Sequence, residues 1–344
     1  MNRVLFLGAG FSAPFGHPVM NEFLPFADAT PWLTEDDKEF LGRLLLEARR
    51  ANSFLESSPT NLEDILSYAV MADRLGLRGD TPVAPRICGI LRKVYGRIAD
   101  VRRYWNQCDK LQRFLRIERG APCTGLSVIT TNYDLNIDCA LYRIGIQVAP
   151  GFDHEPVDAR GKAVVARLYA TNGVPLFKLH GSVNWFESTT GAGLAVDDLV
   201  GTLSDFGGRQ PQQLPMPLAC SGDYAPPAPP VIIPPSFLKP DLSPVLSQVW
   251  AGAAQALQAA HEVVFVGYSF PPSDTEMTYF LAHAMAMNAH LRRILVVDPL
   301  AERILDRLRA TSSRFGSHFK ELLIPLQGDW TELQLNENGI GYRR

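Results

Sequence analysis

Five short apolar runs recur along the chain without polar alternation: Val4 to Leu7, Leu126 to Thr130, Leu176 to Leu179, Val263 to Val266 and Ile294 to Val297. A strand wetted on one face alternates and a strand covered on both does not, so these runs predict parallel strands packed between helices. Helix start signals stand in the intervals. Ser243-Pro244 supplies an N-cap serine and a first-turn proline to a run reaching Ala260, and Ser273-Asp274-Thr275-Glu276 reads as a capping box before Met277 to Asn288. Helix, Val263 strand, helix and Ile294 strand make a βαβ unit. The expected fold class is α/β, a Rossmann-like doubly wound parallel sheet.

Residues 21–120 change the pattern, because no strand-like run occurs there and the apolar spacing becomes helical. Thr60-Asn61-Leu62-Glu63 forms another capping box, and Leu62, Ile65, Leu66, Ala69 and Leu75 fall mainly on one face before Gly76 stops the helix. This segment is expected to be a helical subdomain inserted after the first strand, covering the ligand site. A second irregular region, 187–240, concentrates glycine and proline, including Pro226-Pro227-Ala228-Pro229-Pro230. Such a composition excludes regular helix and central strand, leaving a long Pro/Gly-rich loop or lid with room for a hairpin, or simple disorder. With 344 residues, one large domain with insertions or two domains is expected.

Composition narrows the function classes. A formal net charge of −3 with 20% charged residues lacks the clustered cationic excess of a sequence-independent nucleic-acid grip, so no direct nucleic-acid binding is expected. The basic run Arg92 to Arg116 is interrupted by Asp100, Asp109 and apolar residues and reads as a solvated helix face. Cys88, Cys108, Cys123, Cys139 and Cys220 are odd in number and form no C-x-x-C pair, against a structural zinc or a disulfide framework. The opening run Val4 to Leu7 breaks at once into Gly8, Gly10, Pro14 and Gly16, as a strand and its loop rather than a signal sequence. No stretch approaches the ~20 apolar residues of a membrane span. The expected location is cytoplasmic, with no membrane partner.

The candidate chemistry sits just after the apolar runs, at the carboxyl edge where open α/β sheets bind ligands. Gly8-Ala9-Gly10-Phe11-Ser12-Ala13 fits G-x-G-x-x-A, a pattern that brings backbone close to a pyrophosphate and also occurs in plain turns. The acidic strand end expected ~20 positions further in a dehydrogenase is missing. Asn132 can hold a ribose hydroxyl or a water, and Asp134 a carboxamide NH₂; a turn residue and a helix cap are the plain alternatives. His180 is placed to act as a base near neutral pH or serves structure alone. Gly267 and Ser269 offer contacts to phosphate or ribose, and Asp298 a carboxylate for a ribose diol, against a tight turn and a helix cap. His17, His154 and His261 lack such support, while His283 and His290 read as helix-surface residues.

In order, Gly8-Ala9-Gly10-Phe11-Ser12, Thr130-Thr131-Asn132-Tyr133-Asp134, Leu179-His180-Gly181, Gly267-Tyr268-Ser269 and Val297-Asp298 resemble the motif series of the sirtuin superfamily. Five motifs in register carry the resemblance, over the whole of 1–344 except the two irregular regions. Within the superfamily the chain looks like the divergent bacterial sirtuin-like proteins of antiphage defence, many of which hydrolyse NAD⁺ to nicotinamide and ADP-ribose. The resemblance implies that Asn132 and His180 are the catalytic pair and that NAD⁺ is a substrate needing no metal. It further implies that Gly8, Ala9, Gly10 and Ser12 contact the pyrophosphate, Asp134 the nicotinamide, Gly267 and Ser269 the nearby ribose and phosphate, and Asp298 the adenosine ribose. Control is expected from homo-oligomer formation or a separate partner, which the resemblance suggests is a HerA-like ATPase or an Argonaute-type protein. Deacylases of the superfamily usually continue the first motif into Pro-Asp-Phe-Arg, where this chain has Pro18-Val19-Met20-Asn21-Glu22-Phe23, and commonly carry a four-cysteine zinc module. The alternatives are a protein deacylase or ADP-ribosyltransferase, or a non-catalytic module sensing NAD or ADP-ribose.

Overall fold

The computed structural model describes residues 2–52, 62–77, 82–96, 101–115, 125–157, 169–187, 194–197, 201–202, 213–214, 230–236, 242–271, 274–310, 317–336 and 339–342. Seven strands build the main sheet. In spatial order they are β13 (Leu323–Gln327), β12 (Arg293–Asp298), β11 (Glu262–Val266), β1 (Arg3–Leu7), β2 (Leu126–Thr130), β5 (Val174–Lys178) and β3 (Val148–Ala149), with every neighbouring pair parallel. The chain runs outward from β1 towards β3, returns to the other side at β11 and runs outward again to β13. This is the α/β, Rossmann-like doubly wound sheet that the apolar runs predict, and its order reverses between β1 and β11.

All five predicted runs are strands, and Val263 to Val266 and Val4 to Leu7 are buried throughout. Glu262 is also fully buried, at the start of β11, where Arg3 and Arg293 from the flanking strands both pair with its carboxylate. Leu323–Gln327 escaped the pattern reading because Pro325 breaks it. Since β13 is an edge strand, the missing N–H of a proline is tolerated there.

Register decides where the site forms. Leu7 lies opposite both Val266 and Thr130, Thr130 lies opposite Lys178, and Val266 lies opposite Val297. Five parallel strands therefore end at nearly one level, and the residues that follow them emerge along a common rim beside the point where the strand order reverses.

A smaller sheet has the order β10 (Pro230–Ile232), β6 (Gly181–Glu187), β7 (Leu194–Asp197), β4 (His154–Val157). Two further ladders pair β8 (Gly201–Thr202) with β9 (Gln213–Leu214) and β14 (Leu333–Asn336) with β15 (Gly339–Tyr342). The described residues of 187–240 thus include strands, and Pro230 opens one at a sheet edge, where its missing donor does no harm. Pro226 to Pro229 lie outside the described residues.

After a single turn, α1 (Ala9–Ser12), the described residues of 21–120 are helices and turns: α2 (Phe23–Ala29), α3 (Glu35–Asn52), α4 (Leu62–Arg74), α5 (Val83–Tyr95) and α6 (Val101–Leu115). Leu62, Ile65, Leu66 and Ala69 are buried as their spacing predicts, but Leu75 is 62% exposed. The helix ends at Arg74, and Gly76 (φ 65°) turns the chain, so Leu75 has left the helical phase. Thr60 and Asn61 lie outside the described residues. The basic run is more than a wetted face: Arg103 donates to the carbonyls of Ala13 and Pro14, and Arg92 lies 4.9 Å over the Phe186 ring.

The remaining helices are α7 (Asn136–Arg143), α8 (Pro244–Gln258), α9 (Thr275–Ala286), α10 (Ala301–Ala310) and α11 (Ser317–Glu321). Ser243 caps α8 as predicted, its hydroxyl accepting the Leu246 N–H. The Ser273 capping box does not begin α9 as drawn: Asp274 is the N-cap and makes no side-chain cap bond, while Ser273 lies outside the described residues. His290 sits beyond the end of α9, in the turn that follows it, and its ring stacks on His261 at 5.9 Å. Among the described residues no helix is long and apolar enough to cross a membrane.

Candidate functional site

A cavity of about 550 Å³ opens on the rim, within the ~300–1,000 Å³ common for small-molecule sites. Of the ten candidate residues, Ala9, Gly10, Ser12, Asn132, Asp134, His180, Gly267, Ser269 and Asp298 line it. Gly8 does not. A larger cavity of about 620 Å³ lies at the amino ends of β1, β2 and β5, bordered by Arg3, Leu126 and Val174. Open α/β sheets bind ligands at the opposite edge, where the convergent polar groups are.

The glycines act first on the backbone itself. Gly8 N–H donates to the Val266 carbonyl and Gly10 N–H to the Gly267 carbonyl, at 3.0 and 2.9 Å. Gly267 has φ +60°, and a Cβ there would meet Phe11 N at 2.3 Å. The two strand-end loops are therefore in main-chain contact across the point of reversal. The amides of Gly8 and Gly10 are already used in this contact, so their N–H groups are not the free phosphate donors that the G-x-G pattern suggests.

The carbonyl of Gly8, which accepts the Phe11 N–H at 3.0 Å, has a second task. Asn132 Nδ2 donates to it at 2.9 Å and to Ser12 Oγ at 3.0 Å, while the Asn132 N–H donates to Thr130 Oγ1. With both amide hydrogens engaged, Asn132 presents Oδ1, an acceptor, as its free atom. Ser12 Oγ, having accepted from Asn132, keeps its own hydrogen to donate.

His180 occupies the turn between β5 and β6, where its carbonyl accepts the Ile233 N–H and its ring lies 6.3 Å from that of Tyr133. Trp250 Nε1 fixes the preceding residue by donating to the Leu179 carbonyl at 2.8 Å. Asp134 is buried and lines the cavity; its Oδ1 accepts the Asn136 N–H at 2.9 Å in the turn before α7, and the N-cap position that the plain alternative gives it is held by Leu135. Its Oδ2 lies 3.8 Å from His17 Nδ1. His17, set aside in the sequence, is buried beside the site, with Nδ1 2.9 Å from Asn136 Nδ2 and its ring edge-on to Tyr95.

Other lining groups come from distant segments that no local pattern joins: Met20 and Asn21, Glu63 of α4, Tyr95 of α5, Pro234 and Pro235, and Asp274. Tyr268 Oη donates to Asp274 Oδ2 at 3.2 Å. Burial pushes Tyr95, Tyr133 and Tyr268 well above the usual phenol range, so each stays a neutral donor, Tyr133 to the Ile233 carbonyl and Tyr95 to that of Pro18. Burial also raises the Cys88 thiol to about 11 and the Cys108 thiol to about 12, which removes them as thiolate nucleophiles. Phe270, beside Ser269, has φ +49°, a costly backbone for a bulky residue, and Arg307 holds the carbonyls of both residues.

Asp298 closes β12, and its Oδ1 accepts the Leu300 N–H at 2.8 Å. Burial pushes its carboxyl above the usual carboxylate range, and the Leu300 N–H only partly opposes this. The folded state therefore holds that proton more tightly than the unfolded chain. Its stabilising contribution, present below the ordinary carboxylate pKa, is lost as pH rises through the raised value. Asp298→Asn should accordingly be more stable than the native protein at pH 7 and no more stable at pH 3, as urea titrations at the two pH values will show.

The rim defines an α/β protein with a ligand-sized cavity at the topological switch of its sheet. The chain belongs to the SIR2-like domain family, which it matches over residues 126–315. Comparison with curated proteins yields no match. Among solved structures it is similar to a mutant Sir2 homologue in complex with ADP-ribose, at 14% identity and TM-score 0.37, over 96% of this chain and 88% of that one. It is similar also to a Sir2 enzyme from a study of mechanism and regulation (13%, TM-score 0.37, 96% and 88%) and to Sir2 bound to acetylated peptide (12%, TM-score 0.30, 96% and 89%). Among the described residues no group of three or more His, Cys, Asp or Glu side chains is arranged to hold a metal ion.

Proposed function

We propose that the protein hydrolyses NAD⁺ to nicotinamide and ADP-ribose. The observation that carries this reading is the convergence of nine candidate residues from separate strand ends on one cavity, with the Asn132 amide nitrogen anchored by Gly8 and Ser12, which leaves its Oδ1 as an acceptor. Membership of the SIR2-like family supports NAD as the ligand.

In this reading Asn132 Oδ1 accepts a hydrogen bond from the attacking water or a ribose hydroxyl, and His180 takes the proton as water oxygen bonds to C1′ of the nicotinamide ribose. The C1′–N bond breaks as its electron pair passes to the pyridinium ring, and nicotinamide leaves neutral. Asp134 accepts from the carboxamide NH₂. Ala9, Gly10 and Ser12 border the pyrophosphate, Gly267 and Ser269 the adjoining ribose and phosphate, and Asp298 the adenosine ribose, while Gly8 acts through Asn132. The cavity's ionisable acids among the described residues are Glu63, Asp134, Asp274 and Asp298, and Asp134, set against the nicotinamide in this reading, suits that cationic end.

Hydrolysis of a central cofactor calls for restraint. The protein is an effector of antiphage defence in this proposal, held in check or switched on through self-assembly or a HerA-like or Argonaute-type partner. Incubation of the purified chain with NAD⁺, alone and with its genomic neighbour, followed by chromatography, is expected to yield nicotinamide and ADP-ribose without any acceptor. Nicotinamide release that requires an acyl peptide or acceptor protein would instead support a deacylase or transferase.

A further inference from the structure

Behind the rim lies a ring of five buried polar side chains. Lys178 and Asp138 are each 0% exposed, with Nζ 2.9 Å from Oδ2. Lys178 Nζ also donates to Ser182 Oγ at 3.1 Å, Ser182 Oγ donates to Asn184 Oδ1 at 2.7 Å, Asn184 Nδ2 donates to Tyr169 Oη at 3.0 Å, and Tyr169 Oη donates to Asp138 Oδ1 at 2.6 Å. From this ring two bonds leave towards the site: Lys178 Nζ to the main-chain carbonyl of Asp134 at 2.5 Å, and Ser182 Oγ to that of Tyr133 at 3.4 Å.

The connections are specific in sequence. Asp134 stands two residues beyond Asn132, Ser182 two beyond His180, and Lys178 two before it. One ammonium group thus ties the loop bearing Asn132 to the turn bearing His180, and Val183 N–H to the Tyr133 carbonyl adds a second link at 3.1 Å. Neither Lys178 nor Asp138 lines the cavity. Stability alone does not account for the charges, since a buried ion pair is often replaced by apolar residues of similar volume without loss. An apolar pair could fill the space but could not hold the Asp134 carbonyl.

We propose that Lys178 and Asp138 are positioning residues, an ion-pair clamp that sets the spacing between Asn132 and His180. This rests on the hydrolase reading of the site. Displacements of about 1 Å in a catalytic constellation can cost about 100-fold in rate. The test is the double variant Lys178→Met/Asp138→Leu, which removes both charges together, compared with Ser182→Ala, which removes one arm of the clamp and leaves the ion pair.

The double variant is expected to unfold cooperatively at a lower midpoint, because the Tyr169 hydroxyl and the Asp134 carbonyl lose their partners, and to bind ADP-ribose within about threefold of the native affinity per folded molecule by calorimetry, while kcat per folded molecule for nicotinamide release falls about 100-fold. Ser182→Ala, which removes the bonds of its hydroxyl to Lys178, Asn184 and the Tyr133 carbonyl, should lower kcat at least about fivefold with ADP-ribose affinity unchanged, since a single net hydrogen bond is worth about that much. A folded double variant with native kcat overturns the clamp, as does an affinity loss equal to the loss of kcat. Should the double variant fail to fold, native kcat in Ser182→Ala overturns it. A native protein that releases no nicotinamide overturns the hydrolase reading, and the clamp's catalytic role with it, before any variant is compared.

Discussion

His180→Ala is expected to fold normally and to release nicotinamide about 10²–10⁴-fold more slowly than the native protein, the span over which a positioned general base acts. The bonds to the turn's carbonyls, Ile233 N–H to that of His180 and the Trp250 side chain through Nε1 to that of Leu179, do not depend on the imidazole. Asn132→Ala should lose activity to a similar degree, for a reason that differs. It deletes Oδ1, and it also withdraws the donors that occupy the Gly8 carbonyl and Ser12 Oγ, so a modest stability loss of about 1 kcal/mol accompanies it. Calorimetry with ADP-ribose separates the two variants from mere damage to the pocket, because affinity should persist in His180→Ala. Native rates of nicotinamide release in both folded variants would rule out this catalytic pair.

That Asn132 and His180 share one cavity is legible in the sequence because each follows an apolar run, and a parallel sheet in register brings strand ends together however far apart they lie in the chain. The same logic brought in Gly267 and Asp298. It failed where polar residues enter the interior. Gly181–Glu187 is buried at Ser182 and Asn184 as well as at Val183, Trp185 and Phe186, so neither an apolar run nor an alternation marks it as a strand. The ring through Lys178 satisfies those polar atoms, and it draws on Asp138 and Tyr169, which no local pattern connects. A lysine written into the run Leu176 to Leu179 was the one available sign that a buried partner was needed. His17, Glu63, Asp274 and Pro234 reach the site by long-range packing, for which hydrophobic period carries no information.

Gly181→Ala is expected to destabilise the protein and inactivate it at once. Gly181 has φ +81°, and a Cβ built on it would come within 2.0 Å of the Val231 carbonyl oxygen, with Val231 C at 2.9 Å. These contacts are main-chain atoms of the paired strand β10, so no side-chain rotation relieves them. A left-handed backbone costs a non-glycine residue about 1–3 kcal/mol, and forced repacking about 1–3 kcal/mol more. The pairing of Gly181 with Ile232 must open or shift. Its neighbour in that ladder is the Ile233 N–H bond to the His180 carbonyl, so the strain falls on the turn that aims the proposed base. Urea titration should show a lower midpoint with an unchanged slope, and nicotinamide release should fall further than the folded fraction does. A variant that loses only stability, with native kcat per folded molecule, would show that the His180 turn tolerates movement of β10.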